Sequence, residues 1–414
     1  MTSIPPQPWM TEAATRALLD ALAQASIEAR FVGGCVRDAL LRRPAAEIAD
    51  IDIATPARPE EIVAALDKAG IKAVPTGIEH GTVTAVVPPR HYEITTLRRD
   101  VETFGRRARV AFDADWSEDA ARRDFTMNAI YLDPDGTVHD PVGGLADLAA
   151  QRVRFVGDPA TRIAEDVLRV LRYYRFEARF GNGVGDPAAR AACRAAAPLL
   201  PSLSAERVAQ ELMRLLRVAD PVAALRMMQE DRVLAAILPE AARLDRLARL
   251  IPLEPGEGDG PDALLRLAAL VAVDARGAVA TAERLRLSNA RRDRLVGLAR
   301  PWPLDPAADV RAQQLAMYRL GTDRYRDLAL LTAADGGMDR RRLAELLALA
   351  EGWASPQFPL AGGDVTALGI PPGPRVGRLL AELRRWWEET DFSADRDACV
   401  QKLKEIAGPA KDQG

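Results

Sequence analysis

Cysteine and long apolar runs are scarce in this chain of 414 residues, and each scarcity excludes a class of protein. The three cysteines, Cys35, Cys193 and Cys399, are odd in number, far apart and without zinc-site spacing, which argues against a disulfide-stabilised secreted fold. No apolar run approaches the ~20 residues of a membrane-spanning helix, and the N-terminus lacks the basic and apolar regions of a signal peptide. We therefore expect a cytoplasmic protein that does not cross a membrane.

Neither sign of charge is in large excess, because the formal net charge is −3. This balance argues against a protein coated with basic side chains, although a polyanion site needs only a local basic face. The hydrophobic content of 48% can supply the cores of two to four compact units. Nothing in the sequence points to a protein partner.

The segment 31–55, FVGGCVRDALLRRPAAEIADIDIAT, predicts a strand, a glycine turn, a helix and a second strand. Gly33 and Gly34 allow a sharp turn that presents backbone N–H groups at a helix start, which suits a phosphate. Arg37 follows on the first turn of the helix and could hold a triphosphate oxygen through two donors. A glycine pair is more often only a turn, so this segment alone does not define a site.

Asp50 and Asp52 alternate with Ile51 and Ile53, so both carboxylates project from one face of the second strand. Two acids about 6–7 Å apart along a strand can share hard divalent cations such as Mg²⁺. Paired Mg²⁺ ions would activate an attacking hydroxyl and stabilise a leaving pyrophosphate. Alone, such a pair is more often a solvated strand end.

Together, Gly-Gly-x-Val-Arg-Asp and Asp-Ile-Asp-Ile-Ala-Thr resemble the nucleotidyltransferases of the DNA polymerase beta superfamily. The resemblance is specifically to the class II tRNA nucleotidyltransferase and bacterial poly(A) polymerase family. It implies that Asp50 and Asp52 are the catalytic metal ligands and that Gly34 and Arg37 hold the triphosphate of the incoming nucleotide.

The second family motif is matched by RRDFT-x-NA at 122–129, within a predicted helix over 118–129. The resemblance implies that Arg123 contacts the triphosphate, and that Asp124 and Asn128 fix the sugar of the nucleotide. Without the resemblance, this helix would be one with a charged outer face and an apolar inner face. The D-P-x-x-G-x-x-D-L segment at 140–148 also matches the family, and we expect it to serve as a hinge and packing element.

Two features between these motifs leave alternatives open. Glu93 alternates with Tyr92 and Ile94 on a predicted strand, so it is either a third carboxylate facing the aspartates or a solvated edge residue. The segment 98–115 is basic and irregular, as expected of a mobile solvated loop. In the resembled family a flexible loop occupies this interval and helps to switch the enzyme from adding C to adding A.

A predicted helix over 163–180 carries a polar line of Asp166, Arg169, Arg172 and Arg175. Surface salt bridging is one explanation, and recognition of a base is the other. Cytosine and adenine both offer an amine donor beside a ring-nitrogen acceptor, so Asp166 could accept from the amine while Arg169 donates to the ring. Uracil and guanine present the reverse pattern and would leave these groups unpaired.

The family motif E-D-x-x-R-x-x-R coincides with residues 165–172. The resemblance implies that Asp166 and Arg169 act as an amino-acid template, and that Arg172 and Arg175 contact the triphosphate or the stacked nucleotide. It also implies an α+β fold with a polymerase-beta-like, mixed-sheet nucleotidyltransferase head at 1–150. A helical neck for base recognition would follow at 151–235, and a helical body and tail that bind tRNA at 236–414.

Together with these features, the resemblance implies a Mg²⁺-dependent enzyme that adds C, C and A to the tRNA acceptor end from CTP and ATP, without a nucleic-acid template. A poly(A) polymerase, or an enzyme that adds only CC or only A, is the alternative within the family. A non-catalytic RNA-binding protein is the alternative from another class. All three histidines lie before residue 140, so a C-terminal His-Asp phosphohydrolase domain, as in some family members, is not expected.

Overall fold

The computed structural model describes residues 2–44, 48, 50–78, 81–104, 107–112, 115–256, 260–300 and 305–408. The chain forms two compact units. The first comprises Met1–Leu244, Glu257–Ala272 and Ala280–Ser288, and the second comprises Asp245–Gly256, Val273–Val279 and Asn289–Gly414. Within the described ranges, no helix combines the length and the apolar character needed to cross a membrane. The three-part division at 150 and 235 stays a prediction.

The first unit contains an eight-stranded mixed sheet in the order β1-β10-β9-β2-β3-β6-β5-β4, and β7 and β8 form a separate two-stranded sheet. In the large sheet, β3 and β6 run parallel, whereas its other neighbouring pairs are antiparallel. The strands are β1 (Thr2–Ser3), β2 (Arg30–Val32), β3 (Ile51–Thr55), β4 (Lys72–Gly77), β5 (Thr82–Val87), β6 (Arg90–Thr96), β7 (Arg99–Phe104), β8 (Arg107–Ala111), β9 (Tyr131–Leu132) and β10 (Thr137–His139).

Six α-helices accompany the sheet: α1 (Pro8–Thr11), α2 (Ala13–Gln24), α3 (Gly34–Leu40), α4 (Pro59–Lys68), α5 (Trp116–Ala121) and α6 (Gly144–Ala149). A short 3₁₀ helix lies at Thr126–Asn128. The main core lies on the face of β3 that carries Ile51 and Ile53, where Trp9, Phe31 and Tyr92 are also buried. The opposite face carries Asp52, and beside it Val32 and Ala54 pack against the segment 116–132.

Beyond the sheet the described chain is helical, as predicted. Its helices are α7 (Pro159–Glu165), α8 (Arg169–Phe180), α9 (Pro187–Ala196), α10 (Ala205–Leu216), α11 (Val222–Glu230), α12 (Val233–Ile237), α13 (Leu244–Leu250), α14 (Ala263–Leu270), α15 (Ala275–Arg284), α16 (Asn289–Ala299), α17 (Val310–Leu320), α18 (Thr322–Ala334), α19 (Arg340–Glu351), α20 (Gly362–Thr366), α21 (Pro374–Glu389) and α22 (Arg396–Ala407). The α+β fold, with a mixed-sheet head and a helical remainder, is therefore confirmed.

Three local predictions were wrong. The segment 98–115 is not irregular throughout, because β7 and β8 pair there as an antiparallel hairpin. The helix predicted over 118–129 ends at Ala121, and the motif continues as an extended Phe125 and a 3₁₀ turn. The helix predicted over 163–180 is interrupted, because Asp166 adopts an extended conformation between α7 and α8.

Candidate active site

The turn between β2 and α3 brings backbone close to Asp52. Gly33 has φ +78° and ψ −128°, a conformation that side chains with a Cβ rarely adopt. A Cβ on Gly33 would lie 3.5 Å from Oδ2 of Asp52. The register explains this approach, because Val32 of β2 is the partner of Asp52 on β3. Glycine thus leaves open the space directly beside the Asp52 carboxylate.

Three carboxylates gather at the start of β3. Glu93 on β6 is the register partner of Asp52 on the parallel neighbouring strand, so both side chains leave the sheet on the same face. Burial raises the pKa of Asp52 to about 6, and the charges of Glu93 and Asp50 add to that rise. The site is therefore rich in negative charge. Glu93 shares the face of Asp52 on a strand inside the sheet and not at its edge, and its side chain is exposed.

The donor set suits a hard divalent cation. Among the residues described, no three His, Cys, Asp or Glu side chains are close enough to hold an ion as they stand. Mg²⁺ does not need such a cage, because it retains water ligands and binds through one or two carboxylates together with substrate phosphates. A cation would also relieve the repulsion that raises the Asp52 pKa. Asp50 and Asp52 therefore fit Mg²⁺.

Arg123 is held beside this centre by a buried carboxylate. Both Nε and Nη2 of Arg123 donate to Oδ2 of Asp119, at 3.1 and 2.9 Å, and the Tyr131 hydroxyl donates to the same oxygen at 2.8 Å. Burial opposes the charge of Arg123, but Asp119 and Tyr131 outweigh it and raise the pKa of this guanidinium. The charge of Arg123 partly opposes the rise in the Asp52 pKa, so the guanidinium lies within electrostatic reach of this carboxylate.

A chain of hydrogen bonds joins α3, the helix that follows the glycine turn, to α8. Arg37 donates from Nη1 to Oδ1 of Asn128 at 2.7 Å, and Asn128 donates from Nδ2 to Asp124 at 3.0 Å. Asp124 also accepts from Nε of Arg172 at 2.9 Å. Burial opposes ionisation of Asp124, but the charge of Arg172 and these hydrogen bonds lower its pKa to about 2. Asp124 and Asn128 therefore meet as expected, although no helical turn joins them.

Arg37 itself is largely buried, with 6% of its surface exposed. Its guanidinium pairs with Asp38 at 2.9 Å and lies over the Phe180 ring, 4.1 Å from the centroid. The Nη2 atom would also be 3.7 Å from a Cβ on Gly34. Arg37 thus fixes α3 against α8 and presents only part of its guanidinium toward the glycine turn.

Asp166 and Arg169 lie at the break between α7 and α8, not one turn apart on a continuous helix. Asp166 accepts from the Leu168 N–H at 3.1 Å and from Nη2 of Arg207 on α10 at 2.6 Å. Arg169 donates to Glu165 and to the Arg162 carbonyl. The two predicted template side chains are therefore each held by a protein partner, and both are half-buried at the start of α8.

Arg175 lines a cleft of about 870 Å³ that also reaches Asp50. Nε of Arg175 donates to the buried Glu211 of α10 at 2.6 Å, which fixes α8 against α10. The described lining of the cleft is strongly basic, because it contains five arginines and two carboxylates. These residues are Arg43, Asp50, Arg175, Arg179, Arg214, Arg217 and Asp220.

Sequence reasoning missed the residues that hold the site side chains in place. Asp119 holds Arg123, Arg207 holds Asp166, and Glu211 holds Arg175. Asp119 could have been found, because it precedes Arg123 by one helical turn. Arg207 and Glu211 could not be paired with residues about forty positions earlier without knowledge of how α10 packs against α8.

The sheet, the carboxylate centre and the adjacent arginine define a nucleotidyltransferase head. The family model for the poly A polymerase head domain matches residues 29–154, and that for the probable RNA and SrmB-binding site of polymerase A matches residues 186–244. The mitochondrial CCA tRNA nucleotidyltransferase 1 of Danio rerio is 34% identical, over 91% of this chain and 87% of its own. The CCA-adding enzyme of Lacticaseibacillus paracasei is 34% identical, over 89% of this chain and 90% of its own.

Solved structures agree with these relatives. A crystal structure of the Bacillus stearothermophilus CCA-adding enzyme in complex with CTP superposes with a TM-score of 0.79. It is 29% identical and matches 97% of this chain and 98% of its own. The chain therefore belongs to the CCA-adding tRNA nucleotidyltransferase family, and the resemblance read from its motifs is confirmed. Enzymes of this kind generally use divalent metals.

Proposed function

We propose that this chain adds C, C and A to the 3′ end of tRNA from CTP and ATP, without a nucleic-acid template, and releases pyrophosphate. The observation that carries the assignment is the pairing of β3 with β6, which sets Asp52 beside Glu93 within reach of Arg123. A protein that only binds RNA has no use for such a repulsive carboxylate centre. The three cysteines are buried and form no disulfide, which supports a reducing compartment such as the cytoplasm.

Asp50 and Asp52 would hold Mg²⁺, with Glu93 available as a third carboxylate. Bound there, Mg²⁺ would activate the attacking 3′ hydroxyl and neutralise the leaving pyrophosphate. Arg123 is held in place by Asp119 and contacts the triphosphate, whose charge it partly balances. Gly34 and Arg37, on the glycine turn that approaches Asp52, would hold the triphosphate. The basic cleft beside Asp50 would guide the polyanionic substrates in.

Selection of C and A over U and G falls to Asp166 and Arg169. Arg207 and Glu165 fix these side chains before a base arrives, so less conformational entropy is lost when the base binds. Asp166 accepts from the exocyclic amine and Arg169 donates to the ring nitrogen. Arg172 and Arg175, anchored by Asp124 and Glu211, face the nucleotide from α8.

The test is extension of a tRNA that ends at its discriminator base. Purified protein and Mg²⁺ are given each nucleoside triphosphate alone and then all four, and the new 3′ ends are sequenced. We expect addition of C, C and A followed by arrest. A long A tail would instead identify a poly(A) polymerase, and CC or A alone would identify a partner-dependent enzyme.

Two variants test the residue assignments in the same assay. Asp52→Ala should abolish incorporation while tRNA binding persists, because the metal ligand is lost but the basic cleft remains. Asp166→Ala should relax selection toward UTP and GTP, because the acceptor that discriminates against them is gone. Retained incorporation by the first variant, or unchanged selectivity in the second, would contradict the corresponding role.

A further inference from the structure

One wall of the basic cleft is formed by the end of α10 and the turn that follows it. Arg214 and Arg217 project from this wall, and residues 218–220 complete it. Asp50 lies on the lining of the same cleft. A negatively charged strand bound along the wall would therefore run toward the carboxylate centre.

The backbone at this wall requires hydrogen-bond donors, because the last carbonyl groups of a helix have no partner within it. The Leu215 carbonyl accepts from the Val218 N–H, whereas three of the next four carbonyls meet one side chain, that of Arg266 on α14. Its Nη1 donates to the Leu216 carbonyl at 2.8 Å, and its Nη2 donates to the Ala219 carbonyl at 3.1 Å. The Val218 carbonyl accepts from the same Nη1. Three carbonyls across four residues thus meet one guanidinium.

Arg266 cannot be explained as an ordinary core residue. It is 1% exposed, and every residue of α14 around it is buried and apolar. Burying a cation is costly unless hydrogen bonds replace its water shell. The planar fork of arginine can reach several carbonyls at once, whereas a lysine ammonium offers a single point of contact.

We propose that Arg266 is a positioning residue for RNA binding. It fixes the turn 216–219 so that Arg217 meets a phosphate of the RNA strand whose 3′ end is extended. Arg266 does not line the cleft and acts on the bound strand through the backbone of the turn. This inference rests on the proposed function, because it takes the tRNA as the strand that enters the cleft.

The test is a double-mutant cycle that combines Arg266→Lys with Arg217→Ala. For each protein we would measure kcat, the KM for tRNA, the KM for CTP and, by filter binding, the Kd for tRNA. Each single variant should raise KM and Kd for tRNA about tenfold, the loss of one charged hydrogen bond. KM for CTP and kcat should stay within about twofold. In the Arg266→Lys background, Arg217→Ala should add little, because Arg217 is already misplaced.

Arg249→Lys is the matched control, because Arg249 also donates to a carbonyl at a helix end, that of Ala334 in the second compact unit. It should leave KM for tRNA unchanged.

Wild-type tRNA affinity in a folded Arg266→Lys variant, or additive effects in the cycle, would overturn the proposal. If Arg266→Lys does not fold, a glycine inserted between Val218 and Ala219 replaces it in the cycle. Failure of the proposed function would differ, since the wild-type protein would then not extend tRNA.

Discussion

Glu177 is a buried carboxylate on α8, with 3% of its surface exposed, and the Tyr173 hydroxyl and the Val153 N–H only partly offset the cost of burying its charge. Burial raises its pKa from 4.5 to about 7. Because the folded protein binds this proton more tightly than the unfolded chain, the stability from the protonated form is complete below pH 4.5 and is lost as pH rises through about 7. We therefore expect Glu177→Gln to stabilise the protein above pH 7, by up to ~3 kcal/mol.

The measurement is urea unfolding of wild type and Glu177→Gln from pH 5 to pH 8.5. The difference in unfolding free energy should be small at pH 5 and should grow with pH, since glutamine carries no charge to bury. The values at pH 5 serve as the internal control for any change in packing. A difference that is independent of pH would show that Glu177 is not protonated in the folded protein.

Helix α6 positions the turn that carries Asn128. Asp140 accepts from the N–H groups of Gly144 and Leu145 at 2.7 and 2.9 Å, and a Cβ on Gly144 would lie 2.2 Å from the Thr126 carbonyl oxygen. Gly144→Ala must therefore push the Thr126–Asn128 turn away from α6. We expect a loss of about 1–3 kcal/mol in stability, and lower nucleotide incorporation, because Asn128 links Arg37 to Asp124.

Two measurements test this expectation. The first is the thermal unfolding midpoint of the variant, and the second is nucleotide incorporation by the folded variant at a temperature well below that midpoint. Gly377→Ala is the matched control, because Gly377 lies inside α21 and a Cβ there would have no neighbour within 4 Å. That change should stabilise the helix by about 0.5–1 kcal/mol. Equal midpoints for the two variants would mean that α6 adapts to the added methyl group.

Some elements could be predicted from the sequence and others could not, and the difference has a physical reason. The alternation of Ile51, Asp52 and Ile53 fixes which face each side chain takes, so the two isoleucines in the core and Asp52 on the opposite face could be predicted. The break at Asp166 could not, because its sequence has good helix formers on both sides. The extended conformation is instead stabilised by the Asp166 bond to the Leu168 N–H and by Arg207. Arg266 carried only one signal, a single charge in the apolar run ALLRLAAL.

The net charge of the molecule gives no indication of the basic cleft. The net charge is −3, yet the described residues that line the cleft include five arginines and two carboxylates, one of which is Asp50. RNA that binds through its phosphates releases counterions, so its affinity falls as the salt concentration rises. In a plot of log affinity against log salt concentration, each phosphate contact with a single strand contributes about 0.7 to the slope. The local charge, and not the net charge, should therefore govern tRNA binding.

We expect the Kd for tRNA, measured from 50 to 300 mM KCl, to rise with a log–log slope of about 2–4, as three to five phosphate contacts require. Arg217→Ala should lower that slope by about 0.7–1, because one contact is lost. Arg16→Ala is the matched control, since Arg16 is exposed on α2 and does not line the cleft. A slope near zero, or an equal decrease in both variants, would mean that the arginines of the cleft do not bind the RNA backbone.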